Sequence, residues 1–350
     1  MKVTSTISNN RKTLLVLVVS LVEIMLNIGR VCPDSARYVG LSLFFLGKQS
    51  EYSQTVVMRP AIPWMAAMSS PILGMQLSYG FINALFWLGG VFVTYRLTKL
   101  LLEDETQATF AALLYTTSRP LLDYGAAVLT DSAGYFFVGL IVYLTFMREK
   151  KEGEKKEYFI DGLLSGLALF FKETVFFALL FMLIRRAQKK HGVIETMFSI
   201  AVAGIFLILY LNTLGLDLGV YFHKYALGLS EYASDKWNVI WWIETMVVAF
   251  SPLVAFFPFG ITSIKRRGAL LECLVLLLPV SFIWPVMSMR FSFCVYPCVI
   301  PSIVCGLNKF LSKFKNQNMK LLVYLTFIAI VVYNNYKVME LFGLLPILHS

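Results

Sequence analysis

Asp34 stands in Pro33-Asp34-Ser35-Ala36-Arg37-Tyr38, and an apolar run separates it from Arg59-Pro60-Ala61-Ile62-Pro63-Trp64. A carboxylate next to cations suits group transfer from a phosphate to a hydroxyl or amine. The acid takes the proton, and the fixed positive groups stabilise charge developing on the leaving phosphate. Further ionisable groups interrupt apolar stretches at Thr130-Asp131, Lys172-Glu173-Thr174 and Arg290-Phe291, the last followed by Tyr296-Pro297. There is no Asp-x-Asp pair, and His191, His223 and His349 have no partner at ligand spacing. Nothing in this pattern calls for a metal or another cofactor.

The rest of the chain must position these groups within a membrane. Hydrophobic residues make up 58% of 350 positions and charged ones 15%, against about 25% charged in soluble proteins. Runs of Leu, Phe, Val and Ile long enough for helical spans of about 20 residues predict an all-α polytopic protein rather than a barrel. The formal charge of +10 comes largely from Lys and Arg in short loops. That pattern sets membrane orientation and requires no nucleic acid.

Keeping the basic loops on one side gives about eleven spans, near 13–29, 74–102, 106–118, 121–147, 158–171, 174–185, 193–214, 239–263, 269–287, 291–308 and 320–336. The amino terminus is then cytoplasmic, the carboxyl terminus outside, and a plasma membrane the expected location. The first span is read as a retained helix, because no small-residue cleavage site follows it and Glu23 lies within it. Residues 158–184 must form a hairpin, since Arg148–Lys156 and Arg185–Lys190 are both basic. Its arms are too short to cross about 30 Å of hydrocarbon, so Lys172-Glu173 should turn below the outer surface, lining a cavity or buried in protein. The same logic makes 106–147 cross twice and turn at Arg119-Pro120.

This topology gathers Asp34, Arg37, Glu51, Arg59, Arg119, Asp123, Lys172, Glu173 and Arg290 on the outer face. Asp131 is the deepest, about ten residues into span four. A purely structural ion pair, such as Asp131 with Lys172, is the competing reading for the buried groups. Ala36–Gly47 and Ala61–Ser70 read as interfacial helices or as ordinary packing. The loop Leu214–Asn238, with Tyr221, His223, Lys224, Tyr225, Tyr232 and Trp237, reads as an acceptor surface or an aromatic belt. Glu103-Asp104-Glu105 lies on the cytoplasmic side and is expected to cap the helix that follows. Cys294 and Cys298 read as buried thiols. A single domain over 1–350 is expected, with 30–73 as its first outer loop and no soluble carboxyl-terminal domain.

In order, spacing and sidedness these motifs resemble the GT-C glycosyltransferases, in the branch of protein mannosyltransferases and aminoarabinose transferases that use polyprenyl-phosphate sugars. The matching elements are the first-loop acid and aromatic (Asp34, Tyr38), the basic-Pro motif (Arg59-Pro60), Thr130-Asp131, the turn Lys172-Glu173-Thr174, and the late Arg290-Phe291 with Tyr296-Pro297. The family often has two consecutive acids where this chain has Asp34-Ser35. The resemblance implies an inverting transfer in which Asp34 is the general base. Arg59, Lys172 and Arg290 would hold the lipid phosphate, and Asp131 and Glu173 would orient those cations or meet sugar hydroxyls; Tyr38 and His223 join the substrate-binding set. The implied partners are a polyprenyl-phosphate-linked sugar donor, membrane lipids, and a glycolipid, glycan or protein acceptor. A transporter or flippase of lipid-linked sugars is the alternative, although it should show repeats and midplane charges. A noncatalytic scaffold is the third reading, and it leaves the convergent charge unexplained.

Overall fold

The computed structural model describes residues 2–53, 56–214, 219, 239–250, 253–283 and 289–312, together with 316, 318–319, 322–327, 329–330 and 333. His223 and the rest of the aromatic loop after Leu214 lie outside the described residues, apart from Gly219. The elements are helices throughout, and no strand occurs among the described residues. In chain order they begin with α1 (Lys2–Asn27), α2 (Ser35–Phe45), α3 (Ala61–Leu73), α4 (Met75–Leu102), α5 (Glu105–Thr116) and α6 (Arg119–Tyr124). Next come α7 (Asp131–Lys150), α8 (Lys155–Leu167), α9 (Val175–Lys189) and α10 (Val193–Thr213). The late elements are α11 (Val239–Phe250), α12 (Phe257–Ile261), α13 (Arg267–Leu277), α14 (Val280–Ile283), α15 (Met289–Ser292) and α16 (Tyr296–Leu311).

The fold is apolar on the outside. Leu14, Leu17, Val18, Met25, Ile72, Phe81, Phe92, Ile194 and Phe206 are exposed, while Asn83, Asp131, Lys172 and Asp161 are buried. Lipid makes such an exterior stable, and polar backbone and side chains must then be satisfied inside. Three runs among the described residues are long and apolar enough to cross a membrane: Met75–Leu102, Val193–Thr213 and Met289–Leu311.

Local chemistry accounts for the helix ends. Asp104 caps α5 by accepting the Gln107 N–H at 2.9 Å, as the acidic run predicts, and Glu103 closes α4 in the left-handed conformation at φ 57°. Glu154 and Glu157 form a reciprocal capping box at the start of α8. Close approaches fix the packing of the late helices. A Cβ on Gly260 of α12 would lie 1.6 Å from the Ser302 carbonyl oxygen, and one on Gly306 of α16 would lie 2.1 Å from that of Phe256. Backbone therefore meets backbone across this pair of helices.

The hairpin expected at 158–184 is present. A short 3₁₀ turn over Ala168–Phe170 ends α8, and α9 begins at Val175 after a turn that holds Lys172 at 2% exposure. The continuous helix expected over 121–147 is not: α6 stops at Tyr124 and α7 begins at Asp131. Residues 125–130 leave the helix because their backbone finds partners elsewhere. Gly29 donates to the Ala126 carbonyl at 2.9 Å, and the Val128 N–H donates to the Arg30 carbonyl at 2.9 Å. Asn83 of α4, fully buried, donates through Nδ2 to the carbonyls of Ala127 (2.8 Å) and Leu129 (2.9 Å). Gly29 allows this approach with φ at 72°, a left-handed conformation that also ends α1. Asp131 is thus the first residue of a helix, at its positive dipole end, rather than ten residues inside one.

Candidate functional site

Of the residues named from the sequence, Asp34, Arg37, Tyr38, Arg59, Asp131, Lys172, Glu173 and Arg290 are brought together where α2, α3, α7, the α8–α9 turn and α15 converge, whereas Glu51 is exposed and not among them. The Cys32 N–H donates to Ser35 Oγ at 2.8 Å and sets the turn into α2. Asp34 makes no side-chain cap bond to that helix. Its carboxylate instead accepts from Arg37 at 3.3 Å and from Arg290 at 2.9 Å.

Arg290 is held from several sides. Its guanidinium lies 4.8 Å above the Phe291 ring and 5.7 Å above that of Tyr124, and its carbonyl accepts from the Tyr135 hydroxyl at 2.9 Å. A second guanidinium nitrogen stands 3.9 Å from Asp131 Oδ2. One arginine therefore bridges two carboxylates of different character. The Asp34 side chain is 32% exposed and that of Asp131 only 1%.

Asp131 is paired on its other side with Lys172, whose Nζ lies 3.0 Å from Oδ1 and 3.5 Å from Thr130 Oγ1. The lysine reaches this position because Gly134, one turn along α7, leaves room for its methylenes. A Cβ there would stand 2.8 Å from Lys172 Cγ. Tyr38 connects this pair to the next by sharing a hydrogen bond of 3.3 Å with Thr130 Oγ1. Arg59 donates to the Tyr38 hydroxyl oxygen and grips Glu173 with two nitrogens. The chain Asp34–Arg290–Asp131–Lys172–Thr130–Tyr38–Arg59–Glu173 is continuous.

Beside it sits a second group. Asp123 pairs with Arg30 at 3.3 Å and with Arg119 at 3.2 Å, and the adjacent Tyr124 supplies one of the rings beneath Arg290. Cys32 lies near both groups, with Sγ 3.9 Å from the Asp123 carbonyl. Burial pushes its thiol up to about 11, so it stays protonated at neutral pH and is a poor nucleophile.

The competing expectation of a buried Asp131–Lys172 pair is also met, since the two side chains are 1% and 2% exposed. The groups most open to an incoming molecule are Arg37, Asp34, Glu173 and Arg290, with side-chain exposures of 55%, 32%, 26% and 21%. Sequence reasoning passed over Asn83, Gly134, Arg30 and Tyr124. An asparagine inside the apolar run 74–102 was a usable signal, because polar groups at membrane depth have a task. Gly134 carries no mark distinguishing it from other helical glycines.

The all-helical, apolar-surfaced fold is that of a membrane protein, and part of the chain and its overall fold are similar to known transferases. Residues 58–214 match the family model described as dolichyl-phosphate-mannose-protein mannosyltransferase. That stretch contains Arg59, Asp131, Lys172 and Glu173, with Asp34 and Arg290 on either side of it. Among solved structures, the chain is similar to ArnT from Cupriavidus metallidurans bound to undecaprenyl phosphate, with a TM-score of 0.65 at 15% identity, covering 91% of this chain and 62% of that one. The apo state of the same protein gives 0.60 at 13% identity, covering 88% and 60%. An oligosaccharyltransferase from Archaeoglobus fulgidus, in complex with Zn and sulfate, gives 0.56 at 13% identity, covering 92% and 52%. The chain thus spans less than two thirds of the length of these proteins. No curated protein sequence matches it.

Proposed function

We propose that the protein is a membrane glycosyltransferase that moves a monosaccharide from a polyprenyl-phosphate donor to a hydroxyl-bearing lipid, glycan or protein at the outer face. The observation carrying this reading is the Arg290 bridge, which holds an open carboxylate, Asp34, beside a buried carboxylate already neutralised by Lys172. Asp34 takes the acceptor proton. The acceptor oxygen forms a bond to the anomeric carbon as the bond to the phosphate oxygen breaks, and the electron pair leaves on the lipid phosphate. Direct displacement inverts the anomeric centre.

Arg37, which is exposed, and Arg290, which is half-buried beside Asp34, meet the phosphate first. Charge developing there is stabilised by groups already oriented. Lys172 is too buried to make first contact and acts through Asp131, which fixes the position of Arg290. Arg59 is held by Glu173 and Tyr38 and forms the far wall. His223 is retained as a substrate-side residue, and 30–73 as the first outer loop of one unit spanning 1–350. Eleven crossings with the amino terminus in the cytoplasm suit the basic-loop pattern, and the undecaprenyl phosphate named with ArnT supports the lipid class.

The test is purified protein with a radiolabelled polyprenyl-phosphate sugar and crude acceptor lipids and glycans. Wild type should transfer label, and Asp34→Asn should lose about 10²- to 10⁴-fold while still binding polyprenyl phosphate. Transfer unchanged in Asp34→Asn would remove the base assignment. Uptake of the donor into proteoliposomes without any transfer would favour a transporter.

A further inference from the structure

The other end of the bundle holds cavities that this chemistry does not use. Asp131 is the first residue of α7, while Arg148 and Glu149 are in its last turn, which separates the two ends by about 25 Å at ~1.5 Å per residue. Two cavities there, of about 220 and 350 Å³, share Glu149, Arg185 and Lys189 as lining.

The larger cavity is lined by the cations Arg185, Lys189, Lys265 and Arg266 and by one carboxylate, Glu149. Glu149 is occupied by Arg185 at 2.6 Å and stands 3.7 Å from Arg266, and Arg185 also reaches Glu272 at 2.9 Å. Lys189 and Lys265 are exposed, and neither makes an ion pair among the described residues. In the adjoining cavity Arg186 is buried and already paired with Asp161 at 2.9 Å, so the cations left without an ion pair among the described residues are Lys189 and Lys265. The local charge is therefore short of anions.

The backbone adds to this shortage. Gly268 and Ala269 line the larger cavity in the first turn of α13, where amide N–H groups lack partners within the helix. Arg266 gives no side-chain cap there and no acid stands in that turn. A Cβ on Gly268 would meet nothing within 4 Å, so approach to these amides is open. Beyond the groove, along one face of α13, Leu271 and Val275 are 45% and 62% exposed.

We propose that this groove binds a phosphate-bearing anion, held by Lys189, Lys265 and the Gly268 and Ala269 amides of α13. The apolar strip at Leu271 and Val275 makes a phospholipid headgroup the first source to test, with its acyl chain lying along α13. Under the orientation proposed above, that lipid belongs to the cytoplasmic leaflet. A soluble phosphate satisfies the same donors.

The experiment uses the full chain in two arms. Native mass spectrometry from mixed phosphatidylglycerol and phosphatidylcholine vesicles reads lipid retention, and titration with inorganic phosphate in detergent reads the free anion. Either selective retention of phosphatidylglycerol or saturable phosphate binding supports the site and identifies its source. In the supporting arm, Lys189→Ala with Lys265→Ala should weaken binding roughly 10- to 30-fold. Both lysines are exposed, and an unchanged melting temperature shows that the variant is folded. Equal retention of both lipids together with no phosphate binding overturns the proposal, as does binding that the double variant leaves intact. Sugar transfer by the same variant separates this result from the function proposed above, since Asp34 and Arg290 are untouched.

Discussion

Two buried ion clusters at opposite ends of α7 are built from the same residue types and differ in what they leave open. At the carboxyl-terminal end Asp161 accepts from both Arg148 and Arg186 at 2.9 Å, with side-chain exposures of 3%, 14% and 4%. Glu157 adds to Arg148, and Arg186 stacks on Tyr158 at 4.9 Å. This cluster ties α7, α8 and α9 together. At the amino-terminal end Asp131 and Lys172 are also buried, yet Arg290 links them to Asp34, a carboxylate that solvent reaches. Closure marks a structural tie, whereas a buried pair leading to an open acid is the arrangement that the proposed transfer requires.

Substitution can break this contrast, and the largest effect on stability is expected at the carboxyl-terminal end. Asp161→Ala leaves two arginine side chains without their shared acceptor and should lower stability by about 3–5 kcal/mol. Thermal unfolding in detergent reads this, and the surviving folded fraction should keep its transfer rate. A specific rate falling along with stability would show the Asp161 cluster to be part of the reaction.

The Asp131–Lys172 pair gives a sharper comparison. Lys172→Met alone strands Asp131 and should be destabilising by a similar ~3–5 kcal/mol, whereas adding Asp131→Leu should return most of that stability, because buried pairs are replaceable by apolar groups. Activity should stay lost in the double variant. Recovery of both would reduce Asp131 and Lys172 to packing. The smallest effect is expected from Gly134→Ala, where the added methyl displaces the lysine methylenes at about 1–3 kcal/mol. Its mark should be a drop in kcat larger than the drop in melting temperature implies.

Much of this arrangement was legible because charges are rare in an apolar chain. The basic-loop pattern groups Asp34, Lys172 and Arg290 together, as the structure does, and the short arms of the 158–184 hairpin predict the buried turn found at Lys172. The break between Tyr124 and Asp131 was not legible. Gly-Ala-Ala-Val-Leu carries no proline or polar breaker, and the helix is interrupted by partners distant in sequence: Gly29, Arg30 and Asn83. Pairing choices show the same limit. Composition places Arg59 near the site, but only packing decides that it holds Glu173 while Arg290 holds Asp34.

That interrupted segment also bears on how the protein is made. Residues 29 and 30 leave the ribosome long before 126–130, and until they meet, several amide and carbonyl groups at the head of α7 are unsatisfied in lipid, each costing several kcal/mol. The start of α7 therefore cannot settle in the bilayer by itself and waits for α1 and α4 as a template. Asp34 and Asp131 each follow one side of that seam, so its closure brings their two helices together.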